Sequence, residues 1–501
     1  MAKPRVAVAA GNVPATRAAA EVARAGGNAV DVCLASAISA WVAEPFFASM
    51  AGAGFVAVRT PDGHVEVFDG NSTMPTTAPG TPGQGVKRVY LDYSNGMHTG
   101  IGGGSVAVPG VLAAIRAAWE KHGRIEWPAL FEGAIRLAEE GLPFPKTSAY
   151  YLSVTWSEIW SRFAVAGELF SRDGEPLSEG DPLVQRELAG SLRTVAEQGP
   201  SAMYEGVIAD EIADAIAADD GFLARDDLKL YEAEVRVPVS TEVFGWKIES
   251  NPPPAAGGAV LTHMLALLQH ADLSDRKERL RAIVEAESAA VGYRTDRYQE
   301  PGEIAGALAE VLADLRSMPN ASPETTHTSA TDADGYACAV TESNGYGSGL
   351  VVQGILLNNT LGEEELNPLG AHGLPSGSRC HSNMAPTIAT GGGRTVAMGS
   401  PGADRIVGAI AQTFIAMAVD AAGLADAVAA PRAHVATRPQ GRLLCYEPGL
   451  PGADLEGLPY IPRPYDEIHM FFGGVQAASV TDAGEVDAAH DPRRSGGSAL
   501  I

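Results

Sequence analysis

The sequence predicts a mixed α+β fold on three observations. Polar and apolar residues alternate on both sides of Asp332-Ala333-Asp334-Gly335, the pattern of two antiparallel strands joined by a tight turn, the first starting at Thr325. Alanine-rich and amphipathic stretches of helical length recur ahead of that hairpin. Finally, 46% of the 501 residues are hydrophobic, enough to bury a large core in a chain longer than one usual domain.

Ala15 to Ala25 is rich in alanine, the strongest helix former, and Gly26-Gly27 supplies its C-terminal stop. Val30 to Val42 reads as a second, buried helix. Gly54 to Arg59 and Val65 to Phe68 flank Pro61-Asp62-Gly63 and read as a hairpin. Helices are predicted from Val111 to Lys121, Trp127 to Glu140, Gly206 to Ala218 and Arg276 to Tyr293; in the last, Leu280, Ile283, Val284 and Val291 fall near one face. Glu303 to Glu324 commits to neither state, and Pro319 and Pro323 predict an extended, accessible lead-in to Thr325. Ile406 to Val419, following Gly399-Ser400-Pro401-Gly402-Ala403-Asp404, reads as a further helix.

Charge argues against two kinds of partner. Lys plus Arg number 36 against 61 for Asp plus Glu, a net charge of −25 that repels nucleic acid and anionic membrane. No apolar run is long enough to span a bilayer, and Met1 to Ala10 contain no apolar signal core with a cleavage site, so the expected location is cytoplasmic. Cys33, Cys338, Cys380 and Cys445 are far apart, form no CxxC pair and read as small buried residues. No metal or other cofactor is expected: the 11 histidines include no HExxH pair, and neither Gly102-Gly103-Gly104 nor Gly391-Gly392-Gly393 has the ending of a phosphate loop.

Thr325-Thr326-His327-Thr328-Ser329 opens the predicted hairpin. Two threonines at the start of a strand are ordinary, because β-branched residues suit a pleated surface. The chemical alternative is a nucleophile. Inside a chain the hydroxyl has no adjacent base, but cutting the preceding peptide bond frees an α-amine on the same residue that takes the hydroxyl proton. The segment resembles the processing site of the γ-glutamyltranspeptidase family, where the first threonine of Thr-Thr-His-x-Ser is the nucleophile. Further matches follow in the family's order: Ala25-Gly26-Gly27-Asn28-Ala29-Val30-Asp31, Val108-Pro109-Gly110, Ala134 to Gly141, Pro252-Pro253-Pro254, Met384-Ala385-Pro386-Thr387-Ile388, Gly399-Ser400-Pro401-Gly402 and Asp491-Pro492-Arg493-Arg494. The resemblance spans nearly the whole chain. It implies the four-layer αββα sandwich of N-terminal-nucleophile hydrolases and autocleavage between Glu324 and Thr325. The products would be a large subunit of residues 1–324 and a small one of 325–501, or 501 − 324 = 177 residues, which together form one compact unit. A homodimer of that processed heterodimer stays open.

The resemblance also implies roles. Ser343 stands where the family has a second threonine that hydrogen-bonds the nucleophile; read alone, it is equally a serine bonded to backbone at a strand end. Gly402 and Ala403 stand where the family uses two successive glycine N–H groups as an oxyanion hole, a task that needs only the N–H. The pocket departs further. Asn71, after Asp69-Gly70, aligns with the family's carboxylate-binding arginine, and a neutral amide lacks that charged fork. In Asn358-Asn359-Thr360-Leu361-Gly362-Glu363, Thr360 replaces a glutamine and Glu363 an aspartate, so an acid for an ammonium group survives one methylene longer. Ser382-Asn383 keeps one of two serines, and Asn344 matches the pocket asparagine across a shorter loop.

Three readings follow. The first is an autoprocessed hydrolase or acyltransferase whose Thr325 attacks an amide of a non-standard small-molecule substrate in specialised metabolism, such as antibiotic biosynthesis. The second is a carbon-carbon bond hydrolase of the same family acting on a keto acid in building alkylproline units. The third is an unprocessed, non-catalytic binding homologue, against which the retention of Thr325, Ser343 and the glycine turn argues.

Overall fold

The computed structural model describes residues 3–92, 96–291, 325–367, 369–438, 441–450 and 457–501. The expected lead-in from Glu303 to Glu324, including the Glu324 side of the predicted cleavage bond, lies outside the described residues.

Thirteen strands build two antiparallel sheets: β1 (Val6–Ala10), β2 (Ala53–Arg59), β3 (Val65–Gly70), β4 (Glu234–Arg236), β5 (Val239–Val243), β6 (Trp246–Ser250), β7 (Thr326–Asp332), β8 (Ala337–Ser343), β9 (Thr387–Gly391), β10 (Arg394–Gly399), β11 (Gln476–Thr481), β12 (Val486–Ala489) and β13 (Gly497–Leu500). The first sheet runs β4-β3-β2-β8-β7-β1-β13 and the second β5-β6-β9-β10-β11-β12. The predicted hairpin is β7–β8 at the centre of the first sheet, and Gly335 at its turn adopts φ +99°, a conformation that favours glycine.

Helices cover the outer faces. Val6, Val8, Val56, Val58, Phe68, Cys338 and Val340 on one face of the first sheet share a core with α1 (Val13–Arg24), α2 (Ala29–Ala43) and α3 (Val111–His122). Ile248, Ala389, Val396, Met398 and Ala477 of the second sheet pack under α4 (Ala256–Leu268), α5 (Arg276–Val291) and α6 (Arg405–Ala418). Between the sheets lie Phe55, Ala57, Val65, Val67, Ala337, Ala339, Ile388 and Ala397. The result is a four-layer αββα sandwich, the fold class expected.

Local chemistry accounts for the element ends. Asn12 caps α1 by accepting from the Ala15 N–H, and Gly26, at φ +96°, turns the chain after it. Asn28 and Asp31 form a capping box on α2, whose 15 residues are all buried. The single helix predicted from Trp127 to Glu140 is instead a 3-10 turn, Trp127–Leu130, followed by a helix from Glu132 to Glu140. The proline at position 128 lacks an N–H, and its carbonyl accepts from Phe131, closing the tighter turn.

Candidate active site

Strand parity places the site. Along β7 and β8, even-numbered residues face the helices: Thr328 bonds Ser36 of α2, and Glu342 accepts from the Trp41 indole at 2.6 Å. Odd-numbered residues face the second sheet, as Ala337 and Ala339 do. Thr326 pairs with Glu342 in the ladder, so Thr325 and Ser343 fall opposite each other one step beyond that pair and on the inter-sheet face. The site is the open end of the seam between the sheets.

The seam below is polar and closed. His327 is fully buried, bonded through Nδ1 to Thr341 Oγ1 and through Nε2 to Ser329 Oγ, each at 2.8 Å. Ser329 spends its hydroxyl proton on the Gln476 carbonyl, so it accepts from His327 Nε2–H, and the neutral ring takes its second bond from Thr341. Burial pushes His327 down to about 3. A methyl group on Gly399 would lie 2.4 Å from the ring, so the absence of a side chain there lets His327 pack beneath the loop that opens at Ser400. On the opposite face of β7, Thr326 donates to Glu44; burial raises the pKa of Glu44 and lifts that of nearby Glu342 well above the usual range.

That loop carries two candidate donors. Gly402 has φ +122° and Ala403 φ +54°, and among the described residues neither N–H has an acceptor. Asp404 then leads into α6. The left-handed conformation costs an alanine roughly 1 kcal/mol, so the second position of this turn is held against local preference. Ser400 Oγ braces the loop, donating to the Pro401 carbonyl and accepting from the Gly474 N–H.

The cleft brings together Asn71, Thr325, Ser343, Thr360, Glu363, Ser382, Asn383 and Ala403, eight of the residues singled out from the sequence. Gly402 adjoins Ala403, whereas Asn344 is fully buried beside Ser343 and does not line the cleft; neither its amide nitrogen nor its oxygen has a partner among the described residues. Asn358 and Asn359 are occupied in tying the chain: Asn358 bonds Ala51, Ala107 and Thr360, and Asn359 bonds Tyr346, Thr99 and Gly100. They position Thr360 and Glu363. Sequence reasoning missed His381, Leu366, Met384 and Ile406 in the lining; the signal for His381 was its place directly before Ser382. Arg405, at the start of α6, is buried, pairs with Asp404 and donates to the Phe471 carbonyl.

The γ-glutamyltranspeptidase family model matches residues 15–501. The chain belongs to that family. It is an enzyme of the N-terminal-threonine hydrolase type. Its similar proteins include the glutathione hydrolase proenzyme of Escherichia coli, 28% identical over 97% of this chain and 90% of the relative. They also include the acylase ACY 1 proenzyme of Pseudomonas sp. strain SE83, 29% identical over 89% of this chain and 84% of the relative. Among solved structures, cephalosporin acylase from Bacillus halodurans superposes with a TM-score of 0.82 at 22% identity, covering 99% of this chain and 96% of that one. In the family frame, Thr325 directly precedes a central strand and lines the same cleft as Ala403, Asn71 and Glu363.

Proposed function

We propose that this protein is an autoprocessed hydrolase or acyltransferase in which Thr325 attacks the amide carbonyl of a small molecule outside the usual γ-glutamyl class, in specialised metabolism. One observation carries the reading: Thr325, Ser343 and the unengaged Gly402-Ala403 turn meet at one cleft. In the precursor, Thr325 Oγ attacks the Glu324 carbonyl, the amide shifts to an ester, and water releases residues 1–324 from 325–501. The freed α-amine then takes the hydroxyl proton as Oγ attacks substrate. The N–H groups of Gly402 and Ala403 hold the oxyanion, and the leaving amine receives the proton as the C–N bond breaks. Water opens the acyl ester in the same way. Ser343 supports the hydroxyl, and Asn344, whose buried amide has no partner among the described residues, is assigned to the processed site.

The amide reading is favoured over carbon-carbon cleavage by the relative described as an acylase. A cytoplasmic location accords with four buried cysteines that form no disulfide. The test is intact mass: wild type gives two chains, the smaller beginning at Thr325, and Thr325→Ala gives one inactive chain. A full-length wild type that turns over amides would overturn the mechanism.

A further inference from the structure

The turn that offers the Gly402 and Ala403 N–H groups is fastened at both ends. At its entry, Ser400 Oγ accepts from the Gly474 N–H at 3.0 Å. At its exit, a row of buried charges leads away from Asp404, the residue directly after Ala403. Asp404 pairs through Oδ1 with Arg405, and its Oδ2 stands 3.5 Å from His434 Nε2. The other ring nitrogen, Nδ1, lies 2.8 Å from Glu287 Oε1, and Glu287 Oε2 accepts from the Val435 N–H at 3.1 Å. Asp404, Arg405, His434 and Glu287 are each at most 2% exposed.

Three elements meet in this row. Glu287 belongs to α5, His434 to the strand Ala433–Arg438, and Asp404 leads into α6 without capping it through its side chain. Gly408 lets Glu287 approach α6, because a methyl group there would lie 2.3 Å from Glu287 Oε1. An imidazole donates through both nitrogens only when protonated. Burial lowers the His434 pKa, but the Glu287 and Asp404 carboxylates outweigh it and raise the value above its usual range. The signs therefore alternate from Glu287 through His434 and Asp404 to Arg405, so each buried charge has an opposite neighbour.

The consequence falls on Ala403. Its φ of +54° runs against local preference, and a residue so strained persists where its surroundings over-determine it. Ser400 supplies that restraint on one side of the turn and Asp404 on the other. We infer that His434, backed by Glu287, is a positioning residue that holds the Gly402-Ala403 turn in place through Asp404. This rests on the reading of that turn as the oxyanion site for Thr325.

The probe is 4-nitrophenyl acetate, whose acetyl group is small enough to need no acyl pocket, with rates taken above the Thr325→Ala background. Processed His434→Gln should lose roughly ten- to hundredfold in kcat, the scale of donors misplaced and not removed, while KM stays within about twofold. Glu287→Gln, which keeps a hydrogen-bonding side chain of the same length, should lose less. The double variant should be no slower than His434→Gln alone, because both substitutions act through one imidazole.

Thermal unfolding of the same samples separates positioning from stability. A lower melting temperature with an unchanged kcat overturns the inference, as do additive losses in the double variant or an effect carried wholly by KM. Failure to recover either single variant as folded, processed protein also overturns it, since the charges would then serve folding. A wild type that stays uncut, or reacts no faster than Thr325→Ala, defeats the Thr325 reading and this inference with it. An active wild type beside a full-speed His434→Gln defeats this inference alone.

Discussion

Arg432, Glu447, Asp491 and Arg493 are buried together and answer one another's charges, whereas at the cleft the N–H groups of Gly402 and Ala403 have no acceptor among the described residues. In the first group Arg432 pairs with Asp491 at 2.7 Å, Arg493 with Asp491 at 3.0 Å and with Glu447, and the Val475 N–H completes the Asp491 shell. Despite burial, which pulls the other way, the two arginines hold the Asp491 carboxyl below its usual range. Charge satisfied within the fold serves stability; donors left unengaged at a cleft suit a reacting group. The Asp491-Pro492-Arg493-Arg494 motif is thus structural, and the Gly402-Ala403 turn is the reverse case.

The contrast breaks most visibly at Asp491. Asp491→Ala leaves two buried guanidinium groups without their shared partner and should cost about 3–5 kcal/mol, read by denaturant unfolding of the uncleaved Thr325→Ala chain.

A second test uses pH. His327 has its folded value depressed from 6.5 to about 3, so the unfolded chain binds the extra proton between these limits. Stability should therefore be full above pH 6.5 and fall as pH drops towards 3, by something on the order of 5 kcal/mol. Glu44 and Glu342, raised by burial, act oppositely, gaining stability as pH falls through their folded values towards 4.5. The decisive measurement is the difference in slope between the Thr325→Ala chain and its His327→Gln derivative; equal slopes would mean that His327 does not carry the effect.

Smaller effects sharpen the cleft itself. Ser343→Ala should slow turnover by roughly tenfold without abolishing it, the loss of one supporting hydrogen bond, measured as kcat. Ala403→Gly should relieve the left-handed strain and raise stability by up to about 1 kcal/mol, less the entropy a glycine gains on unfolding. A clear loss of stability there would show that the alanine methyl group's packing outweighs its strain.

Much of this molecule was legible along the chain because the signals were local. Gly26 as a stop, the Asp332 to Gly335 turn and the Thr325 hairpin depend on neighbours within a few residues, and each appears where those residues predict. The run to Glu140 was misread because the spacing of apolar residues does not report how Pro128 closes its first turn. In the site, the alignment of Asn71, Glu363 and Ser382 was readable as a pattern of substitutions. Its meaning was not, because hydrogen-bond sense is set by partners distant in sequence.

By itself, the sequence determined a mixed α and β class and the hairpin that opens at Thr325, since turn chemistry and hydrophobic period are properties of the chain; the αββα sandwich and the loss of an arginine at Asn71 followed from its family resemblance. Only the tertiary structure decided that both faces of that strand are buried, that His327 stays neutral beneath Gly399, and that the Cys380 carbonyl, 309 residues from Asn71, accepts from the Asn71 amide. Those outcomes depend on which groups lose water together, and burial is a property of the packed sandwich, not of any segment of it.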